Sequence, residues 1–169
     1  MAGMKLAPVL ATGCTAVLKP AENTPLTTLK LGELLAESGM PEGVINIIPG
    51  FGNDAGQALV DHTDIDKITF TGSTAVGKKI MADASHTMKR TGLELGGKSA
   101  NIILDDADIE LALRQAINAG FLNSGQFCMS GSRLFVQEGI YDEFVDRFVQ
   151  LAKDRKIGDA FEEGVESGP

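Results

Sequence analysis

At 169 residues, 43% hydrophobic and 22% charged, the chain has the length and composition of one globular domain, or of one domain and part of another. A formal net charge of -8 with no basic run argues against nucleic acid and anionic membrane surfaces as partners. No apolar run approaches the roughly 20 residues of a membrane span, and the opening Met1-Ala-Gly-Met-Lys5 is too short and polar for a signal peptide.

Two cysteines, Cys14 and Cys128, lie far apart with no Cys-x-x-Cys spacing and no neighbouring histidine. That pattern argues against a structural disulfide and against a zinc site, and it points to the cytoplasm. No metal site is expected. The acidic cluster Asp105, Asp106 and Asp108 is better explained by the positive end of a helix dipole than by a metal.

In chain order the pattern alternates strand and helix. Residues 15–19 read as a short strand ended by Pro20. Thr24 is placed to cap a helix with Pro25 in its first position, leucines at 26, 29, 31, 34 and 35, and a stop at Ser38-Gly39. Residues 44–48 form an apolar strand, and residues 50–56 turn into a helix reaching Val60. Residues 67–70 are a third strand, and Thr71-Gly72-Ser73 opens a helix to about Ala84. Strands follow at 91–95 and 101–104, then a helix to about Leu122, a strand at 133–137 and an amphipathic helix at 141–153. The tail, residues 162–169, shows no periodicity and is expected to run free.

Successive strand-helix units imply an α/β fold, a Rossmann-like parallel sheet with helical crossovers. Its strands should be buried on both faces, as the near-continuous apolar run at 44–48 suggests. Ligands on such sheets sit beyond the carboxyl ends of the strands. That edge comprises residues 19–22, 50–56, 72–77 and 94–97.

Two glycine loops lie on this edge. Gly50-Phe-Gly52-Asn-Asp-Ala-Gly56 is one residue longer than the dinucleotide fingerprint and by itself is as well read as a plain turn. Gly72-Ser-Thr-Ala-Val-Gly77-Lys78-Lys79 is most of a P-loop, but Lys79 stands where magnesium needs Ser or Thr. Ser73 instead can cap the helix while free N–H groups of its first turn face a pyrophosphate. Glu22 is placed to accept from ribose hydroxyls, with Lys19 donating beside it. A carboxylate there repels a 2′-phosphate and so favours NAD over NADP. Read alone, an ordinary surface pair is the lesser alternative for Lys19 and Glu22.

Cys128 follows an apolar helix and stands among Gly125, Ser130, Gly131 and Ser132, which leave its sulfur in a polar loop. A thiolate there can attack a carbonyl carbon, and the Cys128 N–H can hold the resulting oxyanion. Glu94, between Leu93 and Leu95, would serve as a general base if it points into an apolar funnel. On these residues alone Cys128 is as readily a buried apolar cysteine and Glu94 a charge at a strand edge. Cys14 reads as structural, and His62 and His86 as solvent-facing.

Five stretches in order carry a resemblance: Val17-Leu-Lys-Pro-Ala-Glu22, Asn46-Ile-Ile-Pro-Gly-Phe-Gly52, Phe70-Thr-Gly-Ser-Thr-Ala-Val-Gly77, Leu93-Glu-Leu-Gly-Gly-Lys98 and Gly125-Gln-Phe-Cys128. Along nearly its whole length the chain resembles NAD(P)-dependent aldehyde dehydrogenases. The resemblance implies Cys128 as nucleophile and Glu94 as general base. It implies cofactor contacts at Lys19, Glu22, Gly52, Gly56, Gly72, Ser73, Leu95 and Gly96, with NAD the first choice and NADP the second. The implied reaction oxidises a small-molecule aldehyde to a carboxylic acid through a cysteine thiohemiacetal and thioester.

Residues 1–94 would then be the dinucleotide-binding segment, and residues 95–169 the start of the catalytic domain. Whole members of the family are expected to be longer and homo-oligomeric. The oxyanion asparagine and the later part of the catalytic domain have no counterpart in this sequence. The chain is therefore expected to be an interior fragment, and a dinucleotide-binding module without turnover is the alternative.

Overall fold

The computed structural model describes residues 1–168. The chain divides into two compact units, Met1–Leu95 and Gly96–Pro169.

The first unit opens with a helix that the sequence pattern did not suggest, α1 (Ala2–Ala11), in which Pro8 is tolerated and Leu6 is buried. Strand β1 (Ala16–Leu18) leads into α2 (Leu26–Glu37) and returns as β2 (Ile45–Ile47). The two strands pair in parallel, Ala16 opposite Ile45 and Leu18 opposite Ile47. Thr24 does not cap α2: Pro25 occupies the N-cap in αR geometry with no side-chain cap, and its carbonyl takes the first helical bond from the Leu29 N–H at 2.9 Å. Gly32 lets α2 lie close on β2, since a Cβ there would stand 2.9 Å from Ile47 Cδ1.

After β2 the chain turns through residues Gly52–Gly56 in a π-helical turn, closed by the Gly56 N–H on the Phe51 carbonyl at 3.2 Å. The residue in excess of the dinucleotide fingerprint is accommodated by this wider ring. Helix α3 (Gln57–Asp61) follows, then β3 (Lys67–Gly72), α4 (Thr74–Ala84) and β4 (Arg90–Leu95). Strands β3 and β4 pair in parallel from Lys67 opposite Arg90 to Gly72 opposite Leu95. Gly77 of α4 is buried against Leu95, whose methyl carbons would lie 2.6 and 2.8 Å from a Cβ at that position.

The α/β expectation holds, with parallel strands joined by helical crossovers. The strands pair two by two, however, and not as one continuous sheet. Burial is correspondingly shallower than the apolar run at 44–48 suggested. Ile45 and Ile47 are half-buried and Asn46 is exposed, because β2 has a strand on one edge only.

The second unit contains β5 (Ala100–Ile103), α5 (Ile109–Phe121), β6 (Arg133–Val136) and α6 (Tyr141–Lys153). Strands β5 and β6 are parallel, with Ile102 opposite Phe135 and Ile103 opposite Val136. The core consists of Ile103, Leu113, Ala116 and Phe144, backed by Leu134, Val136 and Phe148. Phe144 and Phe148, four residues apart on α6, put both rings on the face that meets α5.

Of the acidic cluster only Asp108 caps α5, accepting from the Leu111 N–H at 3.0 Å. Asp105 instead binds Gln137, which accepts from the Asp105 N–H at 3.0 Å and donates to its carboxylate at 2.6 Å. The pair ties the end of β5 to the end of β6. The tail, expected to run free, folds back. The Glu166 N–H donates to the Lys156 carbonyl at 2.9 Å, the Gly158 N–H to the Ser167 carbonyl at 3.1 Å, and Glu166 pairs with Arg155 at 3.0 Å. Backbone pairing and an ion pair, neither of which has a periodic sequence signal, hold it there. Among the described residues no helix is long and apolar enough to cross a membrane.

Candidate active site

In the first unit the carboxyl ends of β1 and β2 bring four of the singled-out positions together. Lys19 Nζ donates to the Pro20 carbonyl at 2.8 Å and to the Gly50 carbonyl at 3.1 Å, and it pairs with Glu22 at 3.4 Å. Its stem runs past Gly56, where a Cβ would stand 3.6 Å from Lys19 Cδ. Two loops are therefore pinned to one cation, which is half-buried while Glu22 stays open to solvent. Glu22 is held below the usual carboxylate range, first by the backbone N–H of its own residue and then by Lys19. It is a charged acceptor at neutral pH, which is what a sugar hydroxyl needs. Gly52 is exposed, and a Cβ there would meet nothing within 4 Å.

A second group gathers at the end of β3. Ser73 is the N-cap of α4, its hydroxyl accepting from the Val76 N–H at 3.3 Å. The cap is the one expected from the sequence, and it leaves the first-turn N–H groups of Thr74 and Ala75 without protein acceptors among the described residues. Gly72 precedes it against the Phe70 ring, which a Cβ would reach at 2.4 Å. Leu95, at the end of β4, packs on Gly77 of the same helix.

Glu94 is exposed on β4, opposite Thr71 in the parallel register. No apolar funnel surrounds it in its own unit. Its neighbourhood includes a residue that the sequence reading passed over. Lys5 of α1 is half-buried and donates to Thr69 Oγ1 at 2.9 Å. Burial pushes its ammonium group below the ordinary lysine value, and the attraction of Glu94 works the other way. Thr71, two residues along the strand from Thr69 and on the same face, holds a buried Oγ1 with no hydrogen-bond partner. The signal was present: hydroxyls at 69 and 71 alternate with Ile68 and Phe70 along the strand.

In the second unit Cys128 is exposed, not buried as the blander reading allowed. Its loop leaves α5 through three successive residues with positive φ, Asn123 at 52°, Ser124 at 57° and Gly125 at 73°. The Ser130 N–H then donates to the Phe127 carbonyl at 3.0 Å, which makes Cys128 and Met129 the corner of a tight turn. The N–H groups of Cys128 and Met129 donate to no protein acceptor among the described residues. Gly97 lies beside the turn, where a Cβ would be in ordinary contact at 3.6 Å from the Cys128 carbonyl oxygen. Phe127 and Met129, on either side of the thiol, are both exposed apolar side chains. Among the described residues there is no cluster of His, Cys, Asp and Glu that could hold a metal.

The chain as a whole has close counterparts among known proteins. The sequence profile of the Aldehyde dehydrogenase family matches residues 1–169. A mitochondrial aldehyde dehydrogenase from Homo sapiens is 54% identical over 170 residues, covering 100% of this chain and 33% of its own length. A structure of an aldehyde dehydrogenase from Bacillus cereus in complex with NAD+ superposes with a TM-score of 0.97 at 50% identity, covering 100% of this chain and 34% of that one. Betaine aldehyde dehydrogenase from Staphylococcus aureus, also in complex with NAD+, gives a TM-score of 0.95 at 46% identity over 99% of this chain and 33% of that one. The chain thus spans about a third of the length of the curated relatives it matches. With a profile match from end to end and half of the residues shared, the chain belongs to the aldehyde dehydrogenase family.

Proposed function

We propose that the chain carries the dinucleotide edge and the catalytic cysteine of an NAD-dependent aldehyde dehydrogenase. The observation that carries this reading is the exposed Cys128 at the corner of a turn whose own N–H groups are unpaired. The residues at the strand ends fit a dinucleotide. Lys19 and Glu22 offer a donor and a charged acceptor for ribose hydroxyls, and α4, eleven residues long and capped by Ser73, offers free N–H groups for a pyrophosphate. Gly52, Gly56 and Gly72 allow close approach around them, and Leu95 and Gly96 are assigned to the same cofactor. The Met1–Leu95 unit is accordingly the cofactor-binding part, and the chain from Gly96 onward begins the catalytic part.

The thiolate of Cys128 attacks the aldehyde carbonyl carbon, forming the C–S bond of a thiohemiacetal whose oxyanion is met by the unpaired Cys128 N–H. NAD+, when bound, supplies the acceptor for the hydride that leaves this carbon. The product on sulfur is a thioester. Glu94 takes a proton from water, the hydroxide adds to the thioester, and the C–S bond breaks to release the carboxylic acid and regenerate the thiolate. Phe127 and Met129 favour an apolar aldehyde at the thiol.

The test is calorimetric titration with NAD+, NADP+ and Mg-ATP in parallel. Saturable NAD+ binding that is lost in Glu22→Ala is expected, with weaker NADP+ binding and none of Mg-ATP. Equal binding of NAD+ by Glu22→Ala, or binding of Mg-ATP alone, would sink the assignment of the edge.

A further inference from the structure

We infer that Ser130 is the positioning residue of the nucleophile turn, an inference that rests on reading Cys128 as the nucleophile. Ser130 is 7% exposed, one of two buried polar residues among those described, and its neighbours Met129 and Cys128 are exposed. Its hydroxyl donates to the Ala119 carbonyl at 3.0 Å. The same carbonyl accepts from the Gly131 N–H at 2.9 Å. Ala119 stands in the last turn of α5, where carbonyls have no helical partner. The end of the helix and the nucleophile turn therefore satisfy each other.

The geometry is that of a loop fastened at both ends. On the outgoing side Asn123 and Ser124 adopt left-handed backbone, uncommon outside glycine, and the Asn123 amide holds the Gln126 carbonyl at 2.9 Å. On the returning side Ser130 makes two bonds at once, its N–H closing the turn on Phe127 and its hydroxyl anchoring the turn to α5. Gly131 then lies in a gap where a Cβ would stand 3.1 Å from both Ala119 Cβ and Asn101 Cβ. Removing the Ser130 hydroxyl leaves the Ala119 carbonyl satisfied by Gly131, so the fold survives. What goes is the bond that fixes the orientation of the turn. That orientation keeps the Cys128 thiol exposed at the corner of the turn.

The experiment is the time course of alkylation of the 169-residue chain by iodoacetamide at one pH, with each cysteine followed separately by mass spectrometry. Cys14, exposed in the other unit, is the internal reference. Ser130→Ala is expected to slow Cys128 alkylation by about fivefold, the worth of one hydrogen bond, and Ser130→Thr, which keeps the hydroxyl, to restore it. The Cys14 profile should superimpose on the wild type. A Cys128 profile unchanged by Ser130→Ala, or a change shared equally by Cys14, overturns the inference. Full dehydrogenase turnover by Cys128→Ala would sink the reading of Cys128 as the nucleophile and this inference with it, whereas a Cys128 profile unchanged by Ser130→Ala overturns the inference alone.

Discussion

Gly77 has no room for a side chain, because Leu95 already fills the space a Cβ would take. Gly77→Ala must push Leu95 or α4 aside and should destabilise the first unit by about 1–3 kcal/mol, measured by urea denaturation. Leu95 is also one of the proposed cofactor contacts, so NAD+ affinity should fall along with stability. At this scale the sequence was informative about residues that stand out chemically. Glu94, Lys19 and Ser73 are each a polar group beside glycine or at a strand end, and Cys128 is a reactive group in a loop rich in glycine and serine. It was uninformative about Lys5 and Thr71, whose importance comes from contacts with residues more than sixty and twenty positions away. Lys5→Met removes the cation facing Glu94 and the donor to Thr69. The account expects the first unit of this variant to unfold at a different urea midpoint, because burial of the Lys5 ammonium and its bond to Thr69 are both removed, while the alkylation of Cys128 is unchanged.

Helices are held by their caps and by a few long-range ties. Asp108→Ala removes the acceptor for the Leu111 N–H and should cost about 1 kcal/mol in the second unit. Phe144→Ala opens the centre of that unit's core and should cost about 3–5 kcal/mol, both read from denaturant midpoints. Between α3 and α4, Asp83 accepts from Lys79 at 2.5 Å and from Gln57 at 3.0 Å, and these donors, Lys79 first, hold its carboxyl below the usual range. A carboxylate depressed in the folded state contributes stability above its unfolded value and loses that contribution as pH falls through the folded one. The thermal midpoints of wild type and Asp83→Asn should therefore differ at neutral pH and converge in acid. Most strands and helices were legible because apolar periodicity and caps are local signals. The tail and α1 were not: one is held by backbone pairing and an ion pair, and the other carries an internal proline.

The molecule as a whole consists of two units, each with its own parallel strands and crossover helices. On the second, Ile102 and Phe135 face outward from the β5–β6 pair, 65% and 50% exposed, on the side away from Ile103 and Val136. A strand face this apolar should bind a hydrophobic dye such as anilinonaphthalene sulfonate, and Phe135→Ser should reduce the signal. Pairing of strands two by two was not legible either, since an apolar run specifies burial but not which edge finds a partner. The central claim, that Cys128 takes up the acyl group of an aldehyde in an NAD-dependent step, is tested most directly by intact-mass measurement. The chain is incubated with an apolar aldehyde and NAD+ and compared with Glu94→Gln and Cys128→Ala. The account predicts an acyl adduct on Cys128 that requires NAD+ and accumulates in Glu94→Gln. NADH formation undiminished in Cys128→Ala, or an NAD+-bound, folded chain that gains no mass at Cys128, would contradict it.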